Sequence, residues 1–264
     1  MAKQLESTAD ALSIRNAELV YQTRQGPLKA LDGVDLEVGQ GEFVSVLGPS
    51  GCGKSSLLRL VSGLLPPTAG EIHVSGSMVD GPRDDVGIVF QQPTLLPWKT
   101  VLDNVLIPIR AMGRPRDAYL ERARSLVALV GLADFEKNYP FELSGGMQQR
   151  VGVARGLVHD PRLLLMDEPF AALDAMTREN MMAELQRIWQ ETRNSVLFIT
   201  HSIPEAVFLS DRVTVMSPRP GRIVRTVPID LPRPRTVETM ATDRFAQITG
   251  DLRAMFTESA EPAS

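Results

Sequence analysis

The segment "GPSGCGKS" at residues 48–55 constrains the fold of this chain more than any other stretch. It fits the pattern G-x-x-x-x-G-K-S/T, in which a glycine-rich turn cradles phosphate groups. The strand-like run "EFVSVL" comes directly before it, and a run with leucines at helical spacing comes directly after it. A strand, a glycine-rich turn and a helix in this order predict a nucleotide-binding loop in an α/β protein.

The residue types of this loop suit a nucleotide polyphosphate with Mg²⁺. Glycines let the backbone turn its N–H groups inward, and the helix N-terminus adds a partial positive charge. Lys54 can reach the β- and γ-phosphates, and the Ser55 hydroxyl suits Mg²⁺. The thiol of Cys52 is expected to be a bystander, although a helix N-terminus can make a thiol reactive. The expected nucleotide-binding residues of the loop are Gly48, Pro49, Ser50, Gly51, Cys52, Gly53, Lys54, Ser55 and Ser56.

The remaining pattern predicts an α/β chain with two additions. Apolar runs of strand length alternate with helical patterns, which indicates a mostly parallel sheet with helices on its faces. Short stretches of alternating apolar and polar residues from residue 12 to 46 predict an antiparallel β region. Between residues 91 and 161 the apolar residues recur at helical spacing. After residue 217 the chain is rich in Pro and Arg and predicts a short β addition and a linker. An amphipathic helix is expected around residues 243–256.

Composition excludes several classes of protein. The net charge of -4 provides no basic excess for a nucleic-acid backbone, and a single cysteine rules out an internal disulfide framework. The sequence has no secretion-type apolar segment near its start and no run long enough to span a bilayer. We therefore expect a soluble protein of a reducing compartment that does not bind nucleic acid.

Two acidic residues follow a second strand-like run. The segment "LLLMDEP" at 163–169 ends in Asp167 and Glu168. A nucleotide hydrolase needs one carboxylate for the Mg²⁺ hydration shell and another to accept a proton from the attacking water. Ligands of open α/β sheets bind at the carboxyl ends of the strands, where this pair is expected. Alone, such a pair is usually a solvated strand end, but after a complete phosphate loop it is a candidate catalytic pair.

Three further polar residues have comparable positions. Gln91 and His201 each close a strand-like run, and Asp174 follows shortly after the acidic pair. Each also has a simple structural interpretation: Gln91 as the start of a loop, His201 as a strand-end histidine, and Asp174 as a helix N-cap. Together they indicate an ordered set of groups along one sheet edge.

A second glycine-rich turn, "LSGGMQQR" at 143–150, is also typical of phosphate binding. Ser144 precedes Gly145 and Gly146 at what reads as a helix start, where backbone N–H groups attract anions. The alternative is an ordinary serine N-cap in a surface turn.

These motifs, in this order, resemble the ATP-binding subunits of ABC transporters over roughly residues 12–230. The segments "GIVFQQPTLLPW", "MDEPFAALDAMTRE" and "ITHSIPEAVFLSDRV" are similar to those in the subunits of bacterial importers for nitrate, sulfonates, taurine and related small organic solutes. The resemblance implies a P-loop NTPase core with an N-terminal antiparallel β region and an inserted α-helical subdomain. Its expected bounds are 12–92 and 160–230 for the core and about 93–159 for the helical subdomain. Residues 231–264 form an expected C-terminal extension with one helix.

The resemblance also implies roles for single residues. Glu168 acts as the general base, Asp167 supports Mg²⁺, and His201 binds the γ-phosphate. Gln91 contacts Mg²⁺ or the attacking water, and Tyr21 stacks on adenine. Lys54 completes the implied catalytic set.

A dimer is the further implication. The turn at Ser144, Gly145 and Gly146 would bind the ATP held by the opposite subunit, with Asp174 at the dimer interface. Head-to-tail pairing of two identical chains then produces two sandwiched ATP molecules. The sequence departs from the commonest family pattern at Met147 and Ser202, where glutamine and an acidic residue are usual.

The work of such a dimer is expected to be done on other proteins. The implied partners are a separate integral-membrane permease and, indirectly, a solute-binding protein, with this chain peripheral on the cytoplasmic face of the membrane. A groove near residues 91–98 and the helical insert is expected to receive a permease helix, with Trp98 as an exposed contact; local packing of Trp98 is the alternative.

Two other functions share parts of the pattern. Chromosome-type ABC ATPases insert a long coiled coil before the second turn, whereas the stretch between Gln91 and Ser144 is short, and translation-type members carry two cassettes. A non-transport ABC ATPase acting on DNA or ribosomes therefore remains the alternative. A small-molecule kinase leaves the second turn and His201 unexplained.

Overall fold

The computed structural model describes residues 10–260 of this protein, and the burial of its side chains over residues 10–255. Its N-terminal part contains a four-stranded sheet with the strand order β2-β1-β4-β5. The chain forms β1 and β2 as a long hairpin and returns to the sheet after the phosphate loop, with every pairing antiparallel. The strands are β1 (Leu12–Thr23), β2 (Gly26–Val38), β4 (Ala69–Val74) and β5 (Ser77–Met78). The predicted antiparallel β region is confirmed.

A six-stranded sheet in the order β10-β9-β3-β8-β7-β6 forms the centre of the protein. Its pairings are parallel except between β9 and β10. The strands are β3 (Phe43–Leu47), β6 (Val86–Val89), β7 (Leu163–Asp167), β8 (Ser195–Thr200), β9 (Arg212–Met216) and β10 (Ile223–Pro228). Every residue of β3 and β8 is buried, as expected for parallel strands covered on both faces. The predicted α/β class is confirmed.

Helices cover the faces of this sheet and fill the segment between β6 and β7. They are α1 (Lys54–Val61), α2 (Val101–Val105), α3 (Ile107–Ala111), α4 (Leu120–Leu129), α5 (Gly145–Leu157), α6 (Ala175–Thr192), α7 (Ile203–Leu209), α8 (Val237–Met240) and α9 (Asp243–Ala260). Helix α4 buries Ala123 and Val127, and Val130 directly after it is buried as well. The buried apolar residues of α2 to α5 join the same hydrophobic cluster as one face of β7 and β8, which contributes Leu164, Met166, Val196 and Phe198. The boundaries of a separate helical subdomain stay a prediction.

The segment after β10 differs from the predicted linker. Ile229 and Leu231 are buried, and Arg235 is only 2% exposed. The Arg235 guanidinium donates to the carbonyls of Val207 and Ser210 at the end of α7, at 2.8 and 2.7 Å. The prolines and arginines had predicted a linker, but Arg235 satisfies backbone carbonyls and fixes this segment against the core.

The expected C-terminal helix is confirmed as α9. Phe245, Ile248 and Leu252 of its apolar face are buried against the main cluster; the side chain of Phe256 lies outside the described residues. Across residues 10–260, none of the helices combines the length and apolarity required to cross a membrane.

Candidate functional site

The phosphate loop connects β3 to α1, as the sequence predicted. Lys54 is 5% exposed, and its Nζ donates to the carbonyls of Gly48 and Pro49 at 2.8 and 3.0 Å. The side chain therefore folds back over the loop and fixes its curvature. Gly53 has a φ of +112°, and a Cβ there would lie 2.9 Å from the Ala30 carbonyl. Only glycine fits this position, because both the backbone conformation and the space exclude a side chain.

A cleft of about 260 Å³ opens beside this loop. Tyr21 and Leu28 from the β1–β2 hairpin form one wall, and the Tyr21 hydroxyl is hydrogen-bonded to Ser56 Oγ at 3.1 Å. This wall is apolar and aromatic, so it suits a nucleobase, whereas the opposite end is polar. The cleft is lined by Tyr21, Leu28, Ala30, Ser50, Gly51, Gly53, Lys54, Ser55, Ser56, Glu168 and Arg219. Arg219 was not predicted.

Cys52 belongs to the loop, but its side chain is buried and does not line the cleft. The side chain is 1% exposed, and burial raises the pKa of its thiol. The thiol is therefore neutral near pH 7, which agrees with its expected role as a bystander.

The acidic pair meets the loop at the end of β7. Ser55 Oγ donates to Asp167 Oδ1 at 3.4 Å. Glu168 Oε1 lies 3.7 Å from Lys54 Nζ, and Glu168 Oε2 lies 2.9 Å from His201 Nδ1. Strands β3, β8 and β7 are adjacent in the sheet and parallel, so their carboxyl ends bring the loop, His201 and the acidic pair together.

The two carboxylates differ in their surroundings. Burial raises the pKa of Asp167, because the ionised carboxylate loses solvation there. Glu168 adopts a φ of +44°, a conformation that residues other than glycine rarely take. Its N–H donates to the Ile199 carbonyl at 2.8 Å, which holds this backbone in place. Such outliers are found preferentially at functional sites.

Gln91 lies two residues beyond β6, at the same sheet edge, but not in the lining of the cleft. Its loop is held by α5: Gln149 Nε2 donates to the Phe90 carbonyl at 3.2 Å. Arg155 donates to the carbonyls of Pro93 and Thr94 at 2.5 and 3.2 Å. Gln149 and Arg155 were not predicted as functional residues; two long polar side chains on the buried face of α5 are the signal that marks them.

Asp174 caps the N-terminus of α6. Its Oδ1 accepts from the Thr177 N–H at 3.1 Å, and hydrogen bonds from Thr177 lower the pKa of this carboxyl. The simple N-cap interpretation is therefore correct for the described chain. An additional role at a dimer interface stays a prediction, and the exposure of Asp174 is compatible with it.

A buried ionic group connects the Asp174 and His201 regions, and the sequence did not reveal it. Thr200 Oγ1 donates to Glu205 Oε2 at 2.6 Å, and Arg178 Nε lies 3.5 Å from Glu205 Oε1. Arg178 also donates to the Leu173 carbonyl at 2.8 Å. Burial raises the pKa of Glu205. These contacts fix both segments relative to each other.

The second glycine-rich turn starts α5 at a different surface. Ser144 is the N-cap, and its Oγ accepts from the Met147 N–H at 3.3 Å. The turn opens on a second cleft of about 290 Å³, which also involves the first turns of α6. That cleft is lined by Ser144, Gly146, Met147, Arg150, Thr177, Asn180, Met181 and Glu184.

The two clefts share no lining residue, so within one chain the second turn does not contribute to the first cleft. Met147 is half-buried and packs against the main hydrophobic cluster. Its backbone rather than its side chain makes the hydrogen bond of the turn, so this cap does not depend on a glutamine.

Comparison with known proteins defines the class. Residues 31–171 match the family described as ABC transporter. The chain therefore belongs to the ABC transporter family, as the resemblance predicted, and the arrangement above is that of an ATP-binding cassette.

Among its relatives is the taurine import ATP-binding protein TauB of Burkholderia thailandensis, 50% identical over 84% of this chain and 85% of the relative. An uncharacterized ABC transporter ATP-binding protein of Methanocaldococcus jannaschii is 51% identical over 85% of this chain and 84% of the relative. The comparisons give no support to a function on DNA or ribosomes.

Solved structures of ATP-binding cassettes agree with this family assignment. A dimeric ATP-binding cassette in a post-hydrolysis state with ADP and Pi superposes with a TM-score of 0.71, at 32% identity over 83% of this chain and 99% of that chain. The cbiO1 protein of Clostridium perfringens, part of an ABC transporter complex, superposes with a TM-score of 0.75, at 26% identity over 93% of this chain and 97% of that chain.

Proposed function

We propose that this chain is the ATP-hydrolysing subunit of an importer for a small sulfonate of the taurine kind, acting as a homodimer on a separate membrane permease. The observation that carries the proposal is the separation of the two phosphate-binding turns. One turn lines a cleft that also contains Lys54, serine hydroxyls and the strand-end carboxylate of Glu168, and the other turn lines a second cleft that shares no residue with the first. The second turn gains a ligand only when another copy supplies it.

The ATP site is assigned residue by residue. The nucleoside lies against Tyr21 and Leu28, the phosphates lie on the loop at residues 48–56, and Lys54 compensates their charge. Across the dimer, Ser144 and the N–H groups that follow it cap the γ-phosphate of the partner's ATP.

Magnesium fits the oxygen donors at the strand ends. The Ser55 hydroxyl and the Asp167 carboxylate already lie within 3.4 Å of each other, and hard oxygen ligands of this kind are those that Mg²⁺ takes together with phosphates. When bound, the ion neutralises charge that develops on the phosphates. Gln91 completes this group by contacting the ion or the attacking water.

Hydrolysis then follows from the remaining side chains. Glu168 accepts a proton from the attacking water, and His201 exchanges its contact with Glu168 for one with the γ-phosphate. Loss of that phosphate removes a part of the dimer interface, so the closed dimer opens. The loop after Gln91 transmits this change to the permease, because α5, which begins at the second turn, holds that loop through Arg155.

The permease surface includes the loop around Trp98. This indole is 68% exposed. Phe141 of the helical region is 78% exposed, and its ring stacks on Tyr139 with a centroid distance of 5.8 Å. Large exposed aromatic side chains are typical of protein interfaces. The chain is peripheral to the membrane through this contact.

The experiment uses the permease that co-purifies with the full-length chain. Vesicles containing both proteins, with the solute-binding protein outside and ATP inside, are expected to accumulate taurine and to stop when ATP is omitted. The Trp98→Ala variant should retain ATP hydrolysis in solution and lose the permease. Capture of ribosomes or DNA without any membrane protein would overturn the proposal.

A further inference from the structure

We propose that Arg219 is a second cationic contact of the bound nucleotide, on the side of the phosphates that faces the nucleoside. The inference rests on the ATP-binding function proposed above. Arg219 lies in the turn between β9 and β10, outside residues 31–171 that match the family. No sequence motif marks it, and the tertiary fold alone brings it to the cleft.

The turn that carries Arg219 is built against the phosphate loop. Gly221 donates its N–H to the Ala30 carbonyl at 2.9 Å, and its carbonyl accepts from Asp32 at 3.0 Å. A Cβ at Gly221 would lie 2.1 Å from the Cys52 carbonyl. The turn therefore packs tightly on the loop, and its position relative to the phosphates is set by backbone contacts.

The guanidinium points along the loop towards the cleft. Arg219 Nε and Nη2 donate to the Gly51 carbonyl at 3.2 and 3.1 Å. Gly51 belongs to the lining of the cleft, and so does Arg219 itself. The hydrogen-bond partner is a neutral carbonyl. By contrast, Arg222 of the same turn is paired with Asp32. Within residues 10–260 no carboxylate forms an ion pair with Arg219, and its side chain is exposed, so its charge is available to an anion.

Its place within the cleft defines the part of the nucleotide that it contacts. Arg219 also lines the adjoining cleft beside the β1–β2 hairpin, which contains residues 23–28. Lys54 stands at the other end, next to Glu168. A nucleotide with its base against Tyr21 passes Arg219 before it reaches Lys54. The negatively charged group that lies between the nucleoside and the γ-phosphate, and can therefore contact Arg219, is the α- or β-phosphate.

The test measures equilibrium binding of ATP and ADP to the full-length protein, without hydrolysis, by titration calorimetry at two salt concentrations. Arg219→Gln removes a charged hydrogen-bond donor, so it is expected to weaken the binding of both nucleotides by roughly tenfold. Arg219→Lys retains the charge and should retain most of the affinity. Arg225→Gln on the exposed face of β10 is the matched control and should bind as the wild type.

Each other outcome is informative. Glutamine can still donate to the Gly51 carbonyl, so wild-type affinity in Arg219→Gln would show that the residue only supports the loop and would overturn the inference. Equal weakening in Arg219→Gln and Arg219→Lys, with a lower free energy of unfolding, would overturn it as well. Lys54→Ala separates the two proposals. If Lys54→Ala abolishes binding while Arg219→Gln binds with wild-type affinity, only this inference fails, whereas no binding by the wild type would refute the ATP site itself.

Discussion

His201 Nδ1 lies 2.9 Å from Glu168 Oε2, so the histidine that follows β8 directly holds the carboxylate that follows β7. The other oxygen of Glu168 faces Lys54 at 3.7 Å. The carboxylate is thus positioned between Lys54 and His201, the two side chains proposed to contact the γ-phosphate. Nucleotide binding would exchange these contacts and release Glu168 to take up a water.

Glu168→Gln is expected to reduce ATP hydrolysis by about 10²–10⁴-fold, because an amide cannot accept the proton of the attacking water. Binding should survive, so the ATP-bound dimer should accumulate. Phosphate release and size-exclusion chromatography with light scattering measure the two effects. Glu71→Gln on β4, away from the cleft, is the control, and turnover at the wild-type rate in Glu168→Gln would remove this residue from the base role.

Ser144→Arg should block the dimer and leave the monomer site intact. The arginine would occupy the second cleft, where the partner's γ-phosphate is expected, while the first cleft contains no residue of that turn. ATP binding to the monomer and ATP-dependent dimerisation are measured separately. Ser125→Arg adds the same side chain on the exposed face of α4. A loss of monomer binding in Ser144→Arg would contradict the assignment of the second turn to the opposite ATP.

Gly53→Ala should abolish ATP binding and lower stability. The φ of +112° costs an alanine of order 1 kcal/mol or more, and its Cβ would collide with the Ala30 carbonyl and Leu31. Gly26→Ala is a close control, since Gly26 has the same φ of +112° but nothing within 4 Å. Urea unfolding should show lower stability in both variants. Measurements of ATP affinity should show a loss in Gly53→Ala alone. Equal affinities would mean that the loop relaxes around the clash.

Arg155→Met tests the connection between α5 and the loop after Gln91. Two carbonyls lose their donor, at a cost of about 1–3 kcal/mol in the free energy of unfolding. Basal hydrolysis should persist, whereas stimulation by the permease should fall, because the loop that meets the permease is no longer tied to the helix of the second turn. Arg187→Met removes an exposed arginine that also donates to a carbonyl, that of Leu129, and should keep the stimulation. Full stimulation in Arg155→Met would disprove the connection.

Glu205 predicts a pH dependence of stability. Burial raises the pKa of its carboxyl above the ordinary value of 4.5, so the folded state binds this proton more tightly than the unfolded state. Its contribution to the free energy of unfolding should therefore fall as the pH rises from about that ordinary value through the higher folded pKa, and then level off. The difference between wild type and Glu205→Gln, measured by urea unfolding across this window, isolates the effect. A difference independent of pH would show that Glu205 titrates normally.

Much of the site was predictable because it is encoded in local runs. A strand, a turn with obligatory glycines and a helix follow one another within residues 42–61. The acidic pair and His201 each stand at the end of a run of apolar residues that is clearly recognisable as a strand. Parallel strands place such ends at one edge whatever their order. The same logic could not find Arg155, Arg178 or Arg235, because their partners are backbone carbonyls or a buried carboxylate distant along the chain.

The sequence by itself therefore determined the chemistry: which residues can cradle phosphate, hold a metal ion and accept a proton. The tertiary structure decided their grouping. It put His201 beside Glu168 through the order β3-β8-β7, brought Arg219 to the phosphate loop through a turn between β9 and β10, and kept the turn at Ser144 away from the first cleft. The physical reason is that a motif depends on neighbours in the chain, whereas a site depends on strand order and packing, which long-range contacts establish.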